Sequence, residues 1–149
     1  MNDGATGTRT VVVRCTIPAA PERVFDAWLD PISFSTWMVP PGIRVSHARI
    51  DARVGGAYEL MMHGDGNALI HSGVYREIDR PRRLVFTWIS AGTHFRESVV
   101  RVGFEARGEE TEVVVTHEGL PDAGAEQSHQ EGWTAVLGRL ETLNRAAAL

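Results

Sequence analysis

From Arg44 to Glu118 the sequence runs in short alternating segments, and one unbroken helical pattern follows them. Turn residues divide the run at Val54-Gly55-Gly56, His63-Gly64-Asp65-Gly66-Asn67, Asp79-Arg80-Pro81, Ser90-Ala91-Gly92 and Arg107-Gly108-Glu109. Period-two alternation bounded by Gly, Pro and Asp clusters is the signature of antiparallel strands. The spacing predicts six of them, at about 45–51, 57–63, 68–78, 83–90, 96–106 and 111–118. Beyond Pro121-Asp122, Trp133, Val136, Leu137, Leu140 and Leu143 recur every three or four residues and predict a helix over about 126–147. At 1.5 Å per residue such a helix is roughly 30 Å long and crosses the face of a small sheet.

Upstream, Val11, Val13, Cys15 and Ile17 share one parity against Arg14 and Thr16, which predicts a half-buried strand over 11–17. Pro21 suits the first turn of a helix that carries Val24, Phe25, Trp28 and Leu29 on one side. Asp30-Pro31 ends it, and a second short helix with Phe34, Trp37 and Met38 runs up to Pro40-Pro41-Gly42. The predicted class is therefore α+β: a seven-stranded antiparallel sheet, two short helices between strands 1 and 2, and a long C-terminal helix. Only that last helix is long enough to cover the sheet. Gly55-Gly56, Gly73 and Gly103 lie in or beside strands, where glycine marks bends that curve a sheet. A curved sheet wrapped around a helix leaves space between them. No internal repeat or linker divides residues 1–149, so a single domain is expected.

The segment Pro21-Glu22-Arg23-Val24-Phe25-Asp26-Ala27-Trp28, with Asp30-Pro31, Trp37 and Pro40-Pro41-Gly42 after it, resembles the entry segment of the START-like, helix-grip superfamily known as SRPBCC. Within it the chain is most similar to the branch named after the activator of the 90-kDa heat-shock-protein ATPase. The likeness continues through Gly55-Gly56-Ala57-Tyr58, Gly73-Val74-Tyr75-Arg76-Glu77-Ile78, Pro81-Arg82-Arg83-Leu84-Val85-Phe86-Thr87-Trp88, Thr116-His117-Glu118-Gly119-Leu120-Pro121 and His129-Gln130-Glu131-Gly132-Trp133. It covers nearly the whole chain in order. The resemblance implies a hydrophobic cavity and no single reaction.

Strand parity supplies the candidates for that cavity. Tyr58, Leu60 and Met62 share one face, as do Leu84, Phe86 and Trp88, then Ser98, Val100, Val102 and Phe104, then Thr111, Val113, Val115 and His117. In the fourth strand Leu69, His71, Gly73 and Tyr75 compete with Ile70, Val74 and Ile78, and the first set is taken as inward. On the long helix His129 and Trp133 join the apolar stripe. The expected ligand-binding set is Trp37, Tyr58, Leu60, Met62, His71, Tyr75, Phe86, Trp88, Val100, Val102, Phe104, His117, His129 and Trp133. An apolar, aromatic lining with a few polar groups is the usual composition of a small-molecule pocket, although plain core packing accounts for many of the same letters. His47, His63 and His94 are expected in solvent.

Composition excludes several chemistries. The 149 residues include 15 basic ones, all arginine, and the absence of lysine removes Schiff-base and phosphate-loop lysine chemistry. A net charge of -4 argues against nucleic acid as a partner. Cys15 alone forms no internal disulfide, and no three ligands share the spacing of a metal site. No cofactor is expected. No apolar run is long enough for a membrane span, and Met1 to Thr8 lack a signal core, so a cytoplasmic protein is expected.

The expected function is the binding of a hydrophobic or aromatic small molecule. The alternative is a cyclase- or dehydratase-like enzyme in the same cavity with His117 or His129 as base, no catalytic residue being assigned. Less favoured is the chaperone activity of the family name, since this chain shows one domain and no companion segment. The sequence leaves a homodimer open.

Overall fold

The alternating Val11, Val13 and Ile17 form the buried side of β1 (Arg9–Ile17) in the computed structural model, which describes residues 9–147. Pro21 then occupies the first turn of α1 (Pro21–Leu29), where a missing N–H costs nothing, and the helix buries Val24, Phe25 and Trp28. Asp30 stops α1 with an extended backbone and caps α2 (Pro31–Trp37), its Oδ1 accepting the Ile32 N–H at 3.0 Å. One residue thus makes the corner between two helices.

The remaining strands are β2 (Val45–Ile50), β3 (Ala57–His63), β4 (Ala68–Asp79), β5 (Arg83–Trp88), β6 (Ser98–Arg107) and β7 (Glu110–Leu120), and the chain closes with α3 (Ala123–Ala147). All pair antiparallel in the order β1-β7-β6-β5-β4-β3-β2. Since β1 and β2 are opposite edges, α1 and α2 carry the chain from one side of the sheet to the other. The architecture is the helix-grip α+β fold expected from the sequence.

The predicted inward parities hold except at Leu69, which is exposed at the cavity border, and at Leu143, the exposed end of the helix stripe, and β4 explains why its own parity was ambiguous. His71, Gly73 and Tyr75 are buried, but the register shifts between Tyr75 and Glu77, with Arg76 as the extra residue. Ile78 then returns to the core side opposite Leu84. Of the competing set only Ile78, beyond the bulge, reaches the core, while Ile70 and Val74 before it are exposed. The first half of β4 pairs with β3 and the second with β5, and Gly73 stands at the change-over. There Tyr58 donates its hydroxyl to the Thr87 carbonyl at 2.6 Å, and the Thr87 hydroxyl accepts the Val74 N–H at 2.9 Å.

Strand β5 ends at Trp88, two residues short of expectation, because Ser90 and Thr93 build a capped 3₁₀ turn at Ala91–Thr93. The Ser90 hydroxyl accepts the Gly92 N–H, and the Thr93 hydroxyl accepts the Ser90 N–H. His94 and Phe95 follow with φ of 57° and 60°, unusual for residues other than glycine. His94 Nε2 meets Asp122 Oδ2 at 2.8 Å, joining this loop to the start of α3, where Asp122 also accepts the Ala125 N–H.

The arginines lie on the surface and most are ion-paired. Arg80 forks onto both Asp26 oxygens at 2.8 and 2.9 Å, tying the turn before β5 to α1 and holding the Asp26 carboxyl below its ordinary pKa. Exposed pairs of this kind contribute about 0–1 kcal/mol each. No helix of the described residues is long and apolar enough to cross a membrane.

Candidate functional site

The aromatic residues of the core form a continuous spine. Phe104 meets Phe25 at 5.1 Å and Trp28 at 6.1 Å; Trp28 stacks on Trp133 at 5.9 Å; Trp133 meets Trp88 at 5.4 Å; and Trp88 meets His71 at 4.8 Å. Such pairs add about 0.5–1.5 kcal/mol each beyond their buried area. The spine begins in closed core and ends in the wall of an open cavity.

That cavity holds about 320 Å³ between the sheet and the first half of α3. The sheet contributes Met62, Leu69, His71 and Trp88, and α3 contributes His129, Trp133 and Val136. Met38, Pro40, Pro41 and Ile43, all from the connection between α2 and β2, close one side. Ser90 and Gly92 form part of the border from the 3₁₀ turn. A volume near 300 Å³ lies at the lower end of small-molecule sites.

Of the expected set, Met62, His71, Trp88, His129 and Trp133 meet around this space. The other candidates are buried away from it: Tyr58, Leu60, Tyr75, Phe86, Val100, Val102 and Phe104 fill the inner sheet face, and His117 stands behind Trp133. Trp37 is locked between α1 and α2, its Nε1 donating to the Ala27 carbonyl at 3.1 Å. Parity identified the inward side correctly but could not separate filled interior from open space. The α2–β2 border, Ser90 and Gly92 carried no periodic signal; the Pro-Pro-Gly run was the nearest to one.

Three histidines sit in or beside the wall, and hydrogen bonds define the proton positions of two of them, His117 and His129. Trp133 Nε1 donates to His117 Nδ1 at 3.1 Å, so the His117 proton resides on Nε2. From there it is donated to Ser98 Oγ at 2.8 Å, and Ser98 donates onward to the Trp88 carbonyl at 2.7 Å. This relay joins both cavity tryptophans. His117 is fully buried; burial, then the neighbouring His129, hold its pKa well below the ordinary value, so it is neutral. Both nitrogens are engaged, which leaves His117 no lone pair for a substrate.

His129 differs. Its Nδ1 lies 2.7 Å from the Ala125 carbonyl, which only accepts, and burial lowers its pKa. His71 is pushed down to about 4, first by burial and then by His129. The nearby Leu69 and Leu60 carbonyls oppose this, although neither makes a well-formed hydrogen bond to Nδ1. Trp88 Nε1 is likewise buried and unpartnered. Trp28 Nε1, in the closed core, is in the same state, so unpartnered atoms of this kind do not by themselves mark the cavity.

Outside the cavity, Cys15 lies beside Glu141 and its thiol is raised to about 11 by burial and that carboxylate, which makes it a poor nucleophile at neutral pH. Among the described residues no group of three His, Cys, Asp or Glu side chains is arranged to hold a metal ion.

Replacing His117 by Leu should cost about 2 kcal/mol, because the Trp133 N–H would lose its acceptor in a dry interior. Urea denaturation of H117L, W133F and the double variant measures the coupling. If H117L costs as much in the W133F background as alone, the relay does not stabilise the wall.

A curved antiparallel sheet holding a helix over a half-filled apolar interior defines the helix-grip class of cavity domains. The chain belongs to the family described as activator of Hsp90 ATPase homolog 1-like protein, whose profile matches residues 18–144. Among solved structures, protein CV1439 from Chromobacterium violaceum is 27% identical, with 91% of this chain and 96% of that one covered and a TM-score of 0.83. PFC0360w, an HSP90 activator from Plasmodium falciparum, is 23% identical over 90% of this chain and 94% of that one, with a TM-score of 0.72. CalU16 from Micromonospora echinospora is also 23% identical, over 93% and 82%, with a TM-score of 0.68. The last two likenesses are of fold alone. No curated protein sequence matches significantly.

Proposed function

We propose that this protein binds an apolar, aromatic small molecule in the cavity between the sheet and α3. The observation that carries the reading is the apolar space of about 320 Å³ that stands open between the sheet and α3. Met62, Trp88 and Trp133 supply contact area, and His71 and His129 supply polarity. A ligand at a hundredfold excess over its dissociation constant stabilises the folded state by about 2.7 kcal/mol. A thermal-shift screen of apolar aromatic compounds, with native mass spectrometry of the purified protein, tests this. No shift across the panel and no copurified molecule would remove the reading.

A catalytic reading runs through His129 alone, since it is the histidine on the cavity whose Nε2 stays free while Nδ1 is held by Ala125. The chaperone activity in the family's name, and in the description of the Plasmodium protein, reaches this chain only through fold, which is a weak warrant for function. Stimulation of a 90-kDa heat-shock ATPase from the same organism is expected to be absent.

A further inference from the structure

We propose that the cavity selects a neutral aromatic molecule that donates one hydrogen bond, from an O–H or N–H group, to Nε2 of His129, and that it rejects carboxylates. This deepens the proposed binding function and rests on it.

The polarity follows from the ring's other nitrogen. With the His129 Nδ1 proton committed to the Ala125 carbonyl, a neutral imidazole presents a bare lone pair at Nε2, which accepts and cannot donate. That nitrogen has no partner among the described residues. Its edge faces Gly92: a Cβ built there would stand 3.2 Å from Cε1 and 3.6 Å from Nε2 of His129. Glycine keeps this corner of the cavity clear. His117, 4.9 Å away between ring centres, is neutral and has its own nitrogens occupied, so it offers His129 neither a proton nor a hydrogen bond.

The exclusion of anions follows from where the positive charge lies. The chain has fifteen arginines and no lysine, and none of them borders the cavity. The single charged residue on its border is the exposed Glu131. His71, His117 and His129 all have lowered pKa values and carry no charge at neutral pH. A carboxylate entering this space would surrender its hydration with no cation to replace it, and would place its oxygens against an acceptor. A phenol or an N–H heterocycle of the same shape meets neither cost.

Isothermal titration at pH 7.5 with 2-naphthol, 2-methoxynaphthalene and 2-naphthoate separates the terms, because the three share one ring system. The naphthol is expected to bind at least about fivefold tighter than its methyl ether, the worth of one hydrogen bond, and at least about twentyfold tighter than the carboxylate. In H129L the naphthol and the ether should fall within about twofold of each other, and H129Q, which restores an acceptor, should recover part of the preference. Equal binding of naphthol and ether by the unaltered protein, or preferred binding of naphthoate, overturns the inference while leaving a binding function in place. If none of the three binds, the inference falls, and the binding function itself falls only if the wider panel and native mass spectrometry are also negative.

Discussion

Acidification from pH 7 to pH 4 should strip the protein of stability well before its carboxylates titrate. His71, His117 and His129 all have folded-state pKa values below the ordinary 6.5, with burial as the leading cause. Above pH 6.5 they are neutral in both states and their contribution does not change with pH. Below 6.5 the unfolded chain takes up protons that the folded chain refuses, so stability falls as pH falls, until each folded-state pKa is reached. For His71, between 6.5 and about 4, the loss is about 3 kcal/mol. Where all three are protonated only in the unfolded chain, the slope reaches about 4 kcal/mol per pH unit. Against a typical stability of about 5–15 kcal/mol this is enough to unfold a small domain. Asp26 and Asp122, whose pKa values are lowered by Arg80 and by the Ala125 N–H respectively, add their losses only below 3.8. Urea denaturation at half-unit steps from pH 7 to 4.5 checks the expectation, and H71F should flatten the curve by one proton. A stability that stays level across this window would mean that the three rings are not buried as neutral bases.

Gly73→Ala should cost at least about 3 kcal/mol, or yield no folded protein. A Cβ at this position would lie 1.9 Å from the Thr87 carbonyl oxygen and 2.6 Å from Cε1 of Tyr58. The oxygen is backbone and already accepts the Tyr58 hydroxyl, so neither neighbour moves cheaply. Gly103→Ala is the control. Its Cβ would meet nothing within 4 Å, and the change should stay near neutral or stabilise by about 0.4–1 kcal/mol through the unfolded chain. Thermal melts of the two variants side by side decide the matter: similar melting temperatures would show that β4 and β5 are not held close at Gly73.

Most of the fold was legible because it rests on periodicity. Val11, Val13 and Ile17, or Val113, Val115 and His117, declare one face of a strand whatever the rest of the chain does, and the Trp133 to Leu140 stripe declares the helix. The site was legible only in part. Phe86 and Trp88 have the same parity on the same strand, yet Trp88 borders the cavity and Phe86 is packed against Tyr58 and Trp28. Which of two inward residues faces open space depends on how far α3 stands from the sheet at that point, a tertiary distance with no counterpart in the alternation. His117 shows the same limit from another side. Its inward placement was readable, whereas its pairing with Ser98 and Trp133 depends on the register of β6 against β7 and on the rotation of α3. The bulge at Arg76 lets both parities of β4 reach the core, so the ambiguity there was a property of the strand.

The relay from Trp133 through His117 and Ser98 to the Trp88 carbonyl also divides the cavity into parts with unequal freedom to vary. The linked residues lie on three strands and a helix, so a substitution among them disturbs several elements at once. Met38, Pro40, Pro41, Ile43 and Leu69 belong to no such chain, and each shapes the opening through its own volume alone. A lineage built on this framework would therefore acquire new ligands by exchanging border residues, and the imidazole–indole wall would pass through those changes as inherited scaffolding.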